Sequence, residues 1–163
     1  MAKTIMAAFI PADENEAIEL VHFEPGDITF MQEKVGGYFD VADSQVHEAS
    51  LWFDDEGKIK KRDVNSRATL ILWLENRWRD VDALAGDVLV TGQPDETGVL
   101  TSIPESLLDG IAGMYNWKYE VQTGGDDWSG NQVICANYFE AIAKAVGLSR
   151  RWMLVTAIRV VQA

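Results

Sequence analysis

The chain has 163 residues, 47% of them hydrophobic, with six Trp, six Phe and four Tyr, the composition of a folded globular protein rather than a disordered one. It carries 26 acidic against 14 basic residues, a net charge of −12, and a field of that sign repels nucleic acid and membrane surfaces while attracting basic surfaces on other proteins. Cys135 is the single cysteine, which excludes an internal disulfide and a cysteine-rich zinc site, and no apolar run is long enough to span a membrane.

The opening "MAKTIMAAFIPADENEA" turns acidic directly after a brief apolar run, which argues against a secretory signal and for a cytoplasmic address. "KTIMAAFI" reads as a strand ending at Pro11, and "AIELVHF", Ala17 to Phe23, as its hairpin partner. Asp27 is placed to cap a short helix carrying Phe30, Met31 and Val35 on one side. Gly36 then falls where a helix C-cap needs a positive φ, and Gly37 lets the chain reverse into "YFDVAD". A phosphate loop would need the opposite order, strand before glycines before helix, so that helix amides face the anion. The glycine pair is therefore a turn.

"EASLWFDDEGKIKK" predicts two strands around a turn at "DDEG" that includes Gly57. Asn65 or Ser66 can cap a helix "SRATLILWLENRW", with Leu70, Leu74 and Trp78 recurring along one side. "GDVLVTG", Gly86 to Gly92, has the continuous apolar character of a buried strand, and "VLTSI" is a possible further one. Pro104 opens a helix "PESLLDGIAG". An aromatic stretch "MYNWKYEV" and an acidic glycine-rich loop "TGGDDWSGN" follow. The next element is a helix from about Asn131 to Val146 ending at Gly147, and the β-branched tail "RWMLVTAIRVV" reads as a final strand. The sum is an α+β fold, a small mixed or antiparallel sheet with two to four packed helices. Residues 1–103 are expected as one α+β domain, and residues 104–163 as an extension packed on it.

Four stretches in this order, "VGGYFDV", "LWFDDEGKIK", "NSRAT" and "GDVLVTG", with a first strand and "EPG" before the helix, resemble the phage and actinobacterial domain of unknown function numbered 3846. The resemblance covers roughly residues 4–103. It implies a setting, a phage or mobile-element accessory protein in a bacterial host cytoplasm. No catalytic residue is carried over, because the family has no assigned reaction.

Charge is distributed unevenly. Residues 1–57 hold 13 acids and 2 bases, residues 58–79 hold 2 and 7, residues 80–127 hold 10 and 1, and residues 128–163 hold 1 and 4. The basic block places Lys58, Lys60, Lys61, Arg62 and Arg67 close together, with Arg77, Trp78 and Arg79 beyond the predicted helix, a set able to hold a phosphate or nucleotide. The favoured alternative pairs this block with the protein's own acids. The loop around Trp128, with Asp126 and Asp127, is a candidate recognition loop, and Trp117 lies in the aromatic stretch beside it. A Trp128 folded back onto the core is the competing reading.

Neither His22 nor His47 has the partners of a general base in the sequence, and "HFE" at His22 lacks the P-C-x-x-C that a zinc nucleobase deaminase also needs. Cys135, on an apolar face of the predicted C-terminal helix, reads as a core residue. "DDE" at Asp54 to Glu56 lacks the ligand spacing of a calcium loop. No catalytic residue, metal or cofactor is expected, and the chain reads as a non-enzyme. The leading expectation is an interaction protein that binds and inhibits or redirects a host protein, as an anti-defence factor would. The alternative is a small-molecule or nucleotide-binding sponge or sensor. Direct nucleic-acid binding is not expected, and edge strands at the N-terminus and at "MLVTAIRVV" leave room for a homodimer.

Overall fold

The computed structural model describes residues 3–163. The chain divides into two compact units, one made of Met1–Thr69 with Ala83–Leu108, the other of Leu70–Asp82 with Asp109–Ala163. The segment 70–82 belongs to the second unit, and the later crossing lies at residue 108. Both the first and the last crossing fall inside helices.

The first unit is built on a five-stranded antiparallel sheet in the order β2-β1-β5-β4-β3. β1 (Ile5–Ile10) and β2 (Glu19–Phe23) form the expected hairpin. α1 (Ile28–Val35) starts where Asp27 accepts a hydrogen bond from the Phe30 N–H, and ends at Gly36 with φ 85°. β3 (Phe39–Ser44) follows, then β4 (Ala49–Asp54) and, after α2 (Ser66–Leu72), β5 (Val88–Gly92). Every residue of β5 is buried, as its apolar run predicts for a central strand. α1 lies across β3, β4 and β5, placing Met31 and Val35 in a core with Ile5, Ala7, Phe23 and Leu89.

Three predicted elements take another form here. Residues 55–61 turn instead of forming a strand, because β3 and β5 already occupy both sides of β4 and leave no edge to pair with. The hairpin involving β4 is formed with β3, in the register Phe39 with Asp54 through Ser44 with Ala49. "VLTSI" is irregular: its backbone makes single bonds, Gly92 N–H to Thr101 O and Ile103 N–H to Met6 O, while Ser102 Oγ accepts from the Met6 N–H. α2 is capped by Asn65 and stops at Leu72, after which bonds such as Leu74 N–H to Ile71 O and Glu75 N–H to Leu72 O wind the chain more tightly. Leu74 and Trp78 therefore lie beyond the helix.

α3 (Glu105–Ala112) carries the chain from one unit into the other. In the second unit, β6 (Trp117–Gln122) is flanked by β7 (Ser129–Gly130) and β8 (Ala157–Gln162), both antiparallel to it. β6 buries Trp117, Tyr119 and Val121 in strict alternation, and α4 (Tyr138–Arg151) covers them with Tyr138, Ala141, Ile142, Ala145 and Val146 at helical spacing. The helix begins later than the predicted Asn131, because Asn137 accepts hydrogen bonds from the Phe139 and Glu140 N–H groups. It also runs past Gly147, ending at Trp152, whose N–H still reaches Leu148 O. Cys135 consequently lies outside the helix, buried in an isolated bridge to Trp117. The segment 70–82 is tied in by Arg150 on Asp80 and by Asn76 Nδ2 donating to Thr156 O. β1 is an interior strand, so edge pairing is open to β2, β3, β7 and β8 instead.

Candidate functional site

In the first unit Lys60 and Arg62 of the basic block and the glycine pair meet at one carboxylate. Asp54, the last residue of β4, has a fully buried side chain, and its Oδ2 accepts from Lys60 Nζ at 2.8 Å and from Arg62 Nε at 3.0 Å. Its Oδ1 accepts from the Glu56 N–H at 2.9 Å, fixing the turn that follows the strand. Burial works to raise the pKa of this carboxyl, but the Lys60 hydrogen bond, the Glu56 amide, the Lys60 charge and the Arg62 hydrogen bond outweigh it and hold Asp54 below the ordinary carboxylate value. Arg62 also donates from Nη2 to Gly36 O at 3.0 Å, so the carbonyl exposed at the end of α1 receives a cation, the opposite of a phosphate site.

The glycines make this approach possible. A Cβ on Gly36 would lie 2.8 Å from Arg62 Nη2, one on Gly37 would lie 2.8 Å from Lys60 Nζ, and one on Gly57 would lie 2.8 Å from Ala85 O. Nearby, the buried Asn65 donates from Nδ2 to Ile10 O at 2.8 Å and to Gly86 O at 3.0 Å, while its Oδ1 accepts from the Ala68 N–H. Arg67 donates to Pro11 O and Asp13 O, and Asp87 accepts from the Ala12 N–H. The shallow trough of about 450 Å³ above these groups has Asp13, Glu16, Asp63 and Asp87 facing Lys60, Lys61 and Arg62. Lys61 is an exposed member of its lining, and Lys60, Arg62 and Arg67 are engaged by the protein itself; Lys58 is exposed and is not part of the trough.

The remaining predicted residues lie in the second unit. Trp117 is 5% exposed and packs edge-on against Tyr138 with ring centroids 4.9 Å apart. Trp128 is half-buried, and the Arg159 guanidinium sits 4.4 Å from its ring centroid while bonding Glu120 at 2.8 Å. Asp126 and Asp127 are exposed in the loop, with the Asp126 carbonyl accepting from Gln122 Nε2. Arg77 lies 5.3 Å from the Trp78 ring and pairs with Glu75, so the basic block as read along the chain is shared between two units.

A feature that sequence reasoning missed is an apolar groove of about 270 Å³ in the first unit, between the start of α1, the strands β3 and β4, and the loop 94–100. Ile28 and Met31 form one side, Phe39 and Trp52 the floor, Val99 and Leu100 the other side. Phe39 and Trp52 meet edge to face at 5.3 Å, and the Trp52 indole N–H is held by Thr91 Oγ1 at 3.0 Å. The loop is shaped by Asp95, whose carboxylate accepts from Thr97 Oγ1 and from the Val99 and Thr97 N–H groups, bonds that keep its pKa below the ordinary carboxylate value. Glu24, Asp27, Asp40 and Asp95 adjoin the lining residues in the chain, Glu96 lies further along the same loop, and all five are exposed. Its lining comes from separated stretches of the chain, and nothing along the sequence shows that they meet around the same two aromatic residues.

Over residues 6–116 the chain matches the family described as Domain of unknown function (DUF3846), a span of about two thirds of its length. The chain belongs to the DUF3846 family. The matched span includes the Asp54 cluster and the groove, runs past the 103 expected from the resemblance, and ends just before β6. Most of the second unit therefore lies outside the DUF3846 match. Comparison with curated proteins finds no match. Among solved structures, the crystal structure of small RNA methyltransferase HEN1 aligns at 12% identity and a TM-score of 0.46, over 80% of this chain and 20% of that one. Nothing of its activity is carried over.

Proposed function

We propose that this DUF3846 protein is an accessory protein of a phage or mobile element that acts by binding a host protein and inhibiting or redirecting it, with a defence or nucleic-acid enzyme as a partner of suitable charge. The observation that supports this reading is the charge of the first unit. It holds 18 acidic and 7 basic residues, a net charge of −11 out of −12 for the chain. Of those seven bases, Lys60, Arg62 and Arg67 are turned onto the unit's own carboxylate and carbonyls. A basic protein surface therefore meets a field that is acidic and little relieved from within.

The nucleotide-binding reading has less support. A phosphate would have to displace Asp54 from Lys60 and Arg62, and Trp117 offers no exposed face for a base to stack on. The test is affinity capture of the tagged chain from lysate of an actinobacterial host at low and high salt. A single host protein retained in near-equal amount and released as salt rises is the expected result. A clean bait beside a marked thermal stabilisation by nucleotides would favour the alternative.

A further inference from the structure

We infer that the groove floored by Phe39 and Trp52 is where a partner chain is anchored, and that its occupant is one bulky apolar side chain carried on a basic segment. The inference rests on the protein-binding reading and adds to it the place and chemistry of the contact. At about 270 Å³ the groove is smaller than the roughly 300–1,000 Å³ typical of sites for cofactors and drug-sized ligands, but it is large enough for a Leu, Phe or Trp side chain. Its lining is mainly apolar. The one side-chain N–H among the lining residues, the Trp52 indole, is already bonded to Thr91, so a polar side chain entering there would lose hydrogen bonds to water with no side-chain partner to replace them.

Two further features fit a peptide anchor. The walls are held in place before any guest arrives, by the Asp95 bonds in the loop and the Asp27 cap on α1, so little ordering entropy is lost on binding. Ile28 at 50% and Val99 at 45% exposure stand on opposite lips and would be covered by the guest. The residues next to the lining in sequence contribute four exposed carboxylates, Glu24, Asp27, Asp40 and Asp95, with Glu96 further along the same loop and Lys3 within electrostatic reach of Asp95, an acidic excess that selects a guest flanked by positive charge and disfavours one flanked by negative charge. An aromatic or aliphatic anchor within a polar, complementary rim is the usual arrangement of a binding hot spot.

The test is a ¹H–¹⁵N NMR titration of the full chain with three synthetic peptides: Lys-Arg-Phe-Lys-Arg, the same peptide with Ala for Phe, and Glu-Glu-Phe-Glu-Glu. The first is expected to shift the Trp52 indole signal and the amides of Ile28, Val99 and Leu100, and the other two to bind at least about tenfold more weakly. The variants Ile28→Gln and Val99→Thr alter half-exposed lips, so their spectra are expected to stay dispersed while the first peptide's affinity falls. Shifts spread over other acidic surfaces, with the groove signals unmoved, would overturn the anchor and leave the charge-based reading standing. Equal binding of the Phe and Ala peptides, or no shift with any peptide, would also overturn it. Failure of the lysate capture would instead strike the protein-binding reading itself.

Discussion

Replacing Asp54 by Asn keeps the shape of the side chain and removes its charge, so the cost isolates the electrostatic cluster from packing. The carboxylate accepts three hydrogen bonds, at 2.8 and 3.0 Å from Lys60 and Arg62 and at 2.9 Å from the Glu56 N–H. An amide can keep the backbone bond but turns its NH₂ toward two cations. Removing one member of a buried pair costs about 3–5 kcal/mol, and here the Lys60 and Arg62 side chains are 38% and 35% exposed, so water recovers part of the loss. The expected cost is about 2–3 kcal/mol, a fall in Tm of about 5–10 °C for a chain of this size. Because Asp54 is held below its unfolded value of 3.8, its contribution is complete above that pH and is lost as pH falls through the folded pKa. Thermal melts followed by circular dichroism should therefore show the full gap between wild type and Asp54→Asn at neutral pH, and a narrowing gap below about pH 4. A gap of less than about 1 °C at neutral pH, or one unchanged in acid, would refute the reasoning.

Other substitutions probe the same architecture. Asn65→Ala removes the α2 cap and leaves the Ile10 and Gly86 carbonyls without their buried donor, and should cost about 2–4 kcal/mol in urea unfolding. Gly36→Ala places a Cβ at φ 85° against Arg62 and should cost about 1–2 kcal/mol, whereas Gly98→Ala, at φ 84° with open space around it, should cost only the backbone strain of about 1 kcal/mol. Trp128→Ala loses a half-exposed ring contact with Arg159 and should change stability by no more than about 1 kcal/mol, so a larger loss would place Trp128 in the core.

Much of the first unit was legible in the sequence because local rules and tertiary structure agree there. Asp27 and Gly36 bound α1 at the predicted positions, and the unbroken apolar run of β5 becomes the central strand. The errors arose where a local signal met competition that pattern cannot show. "KIKK" has strand-like alternation, but both sides of β4 are already taken, and Lys60 and Arg62 instead return to Asp54. Gly147 looks like a helix stop, yet the bonds of α4 continue to Trp152, and Asn137 rather than Asn131 supplies the cap. The favoured expectation that the basic block answers the protein's own acids identified its chemistry but not its centre, since Asp54 was read as the tip of a hairpin. The groove was beyond reach, because its lining comes from four separated stretches that only the sheet order brings together.

The most direct test of the account is the salt dependence of the affinity between the intact chain and the host protein it captures, compared with the double variant Glu24→Lys, Glu96→Lys. The account predicts binding that weakens steadily as salt rises, and a variant that binds more weakly with a shallower salt dependence. An affinity indifferent to salt and unchanged by reversing both charges would contradict it.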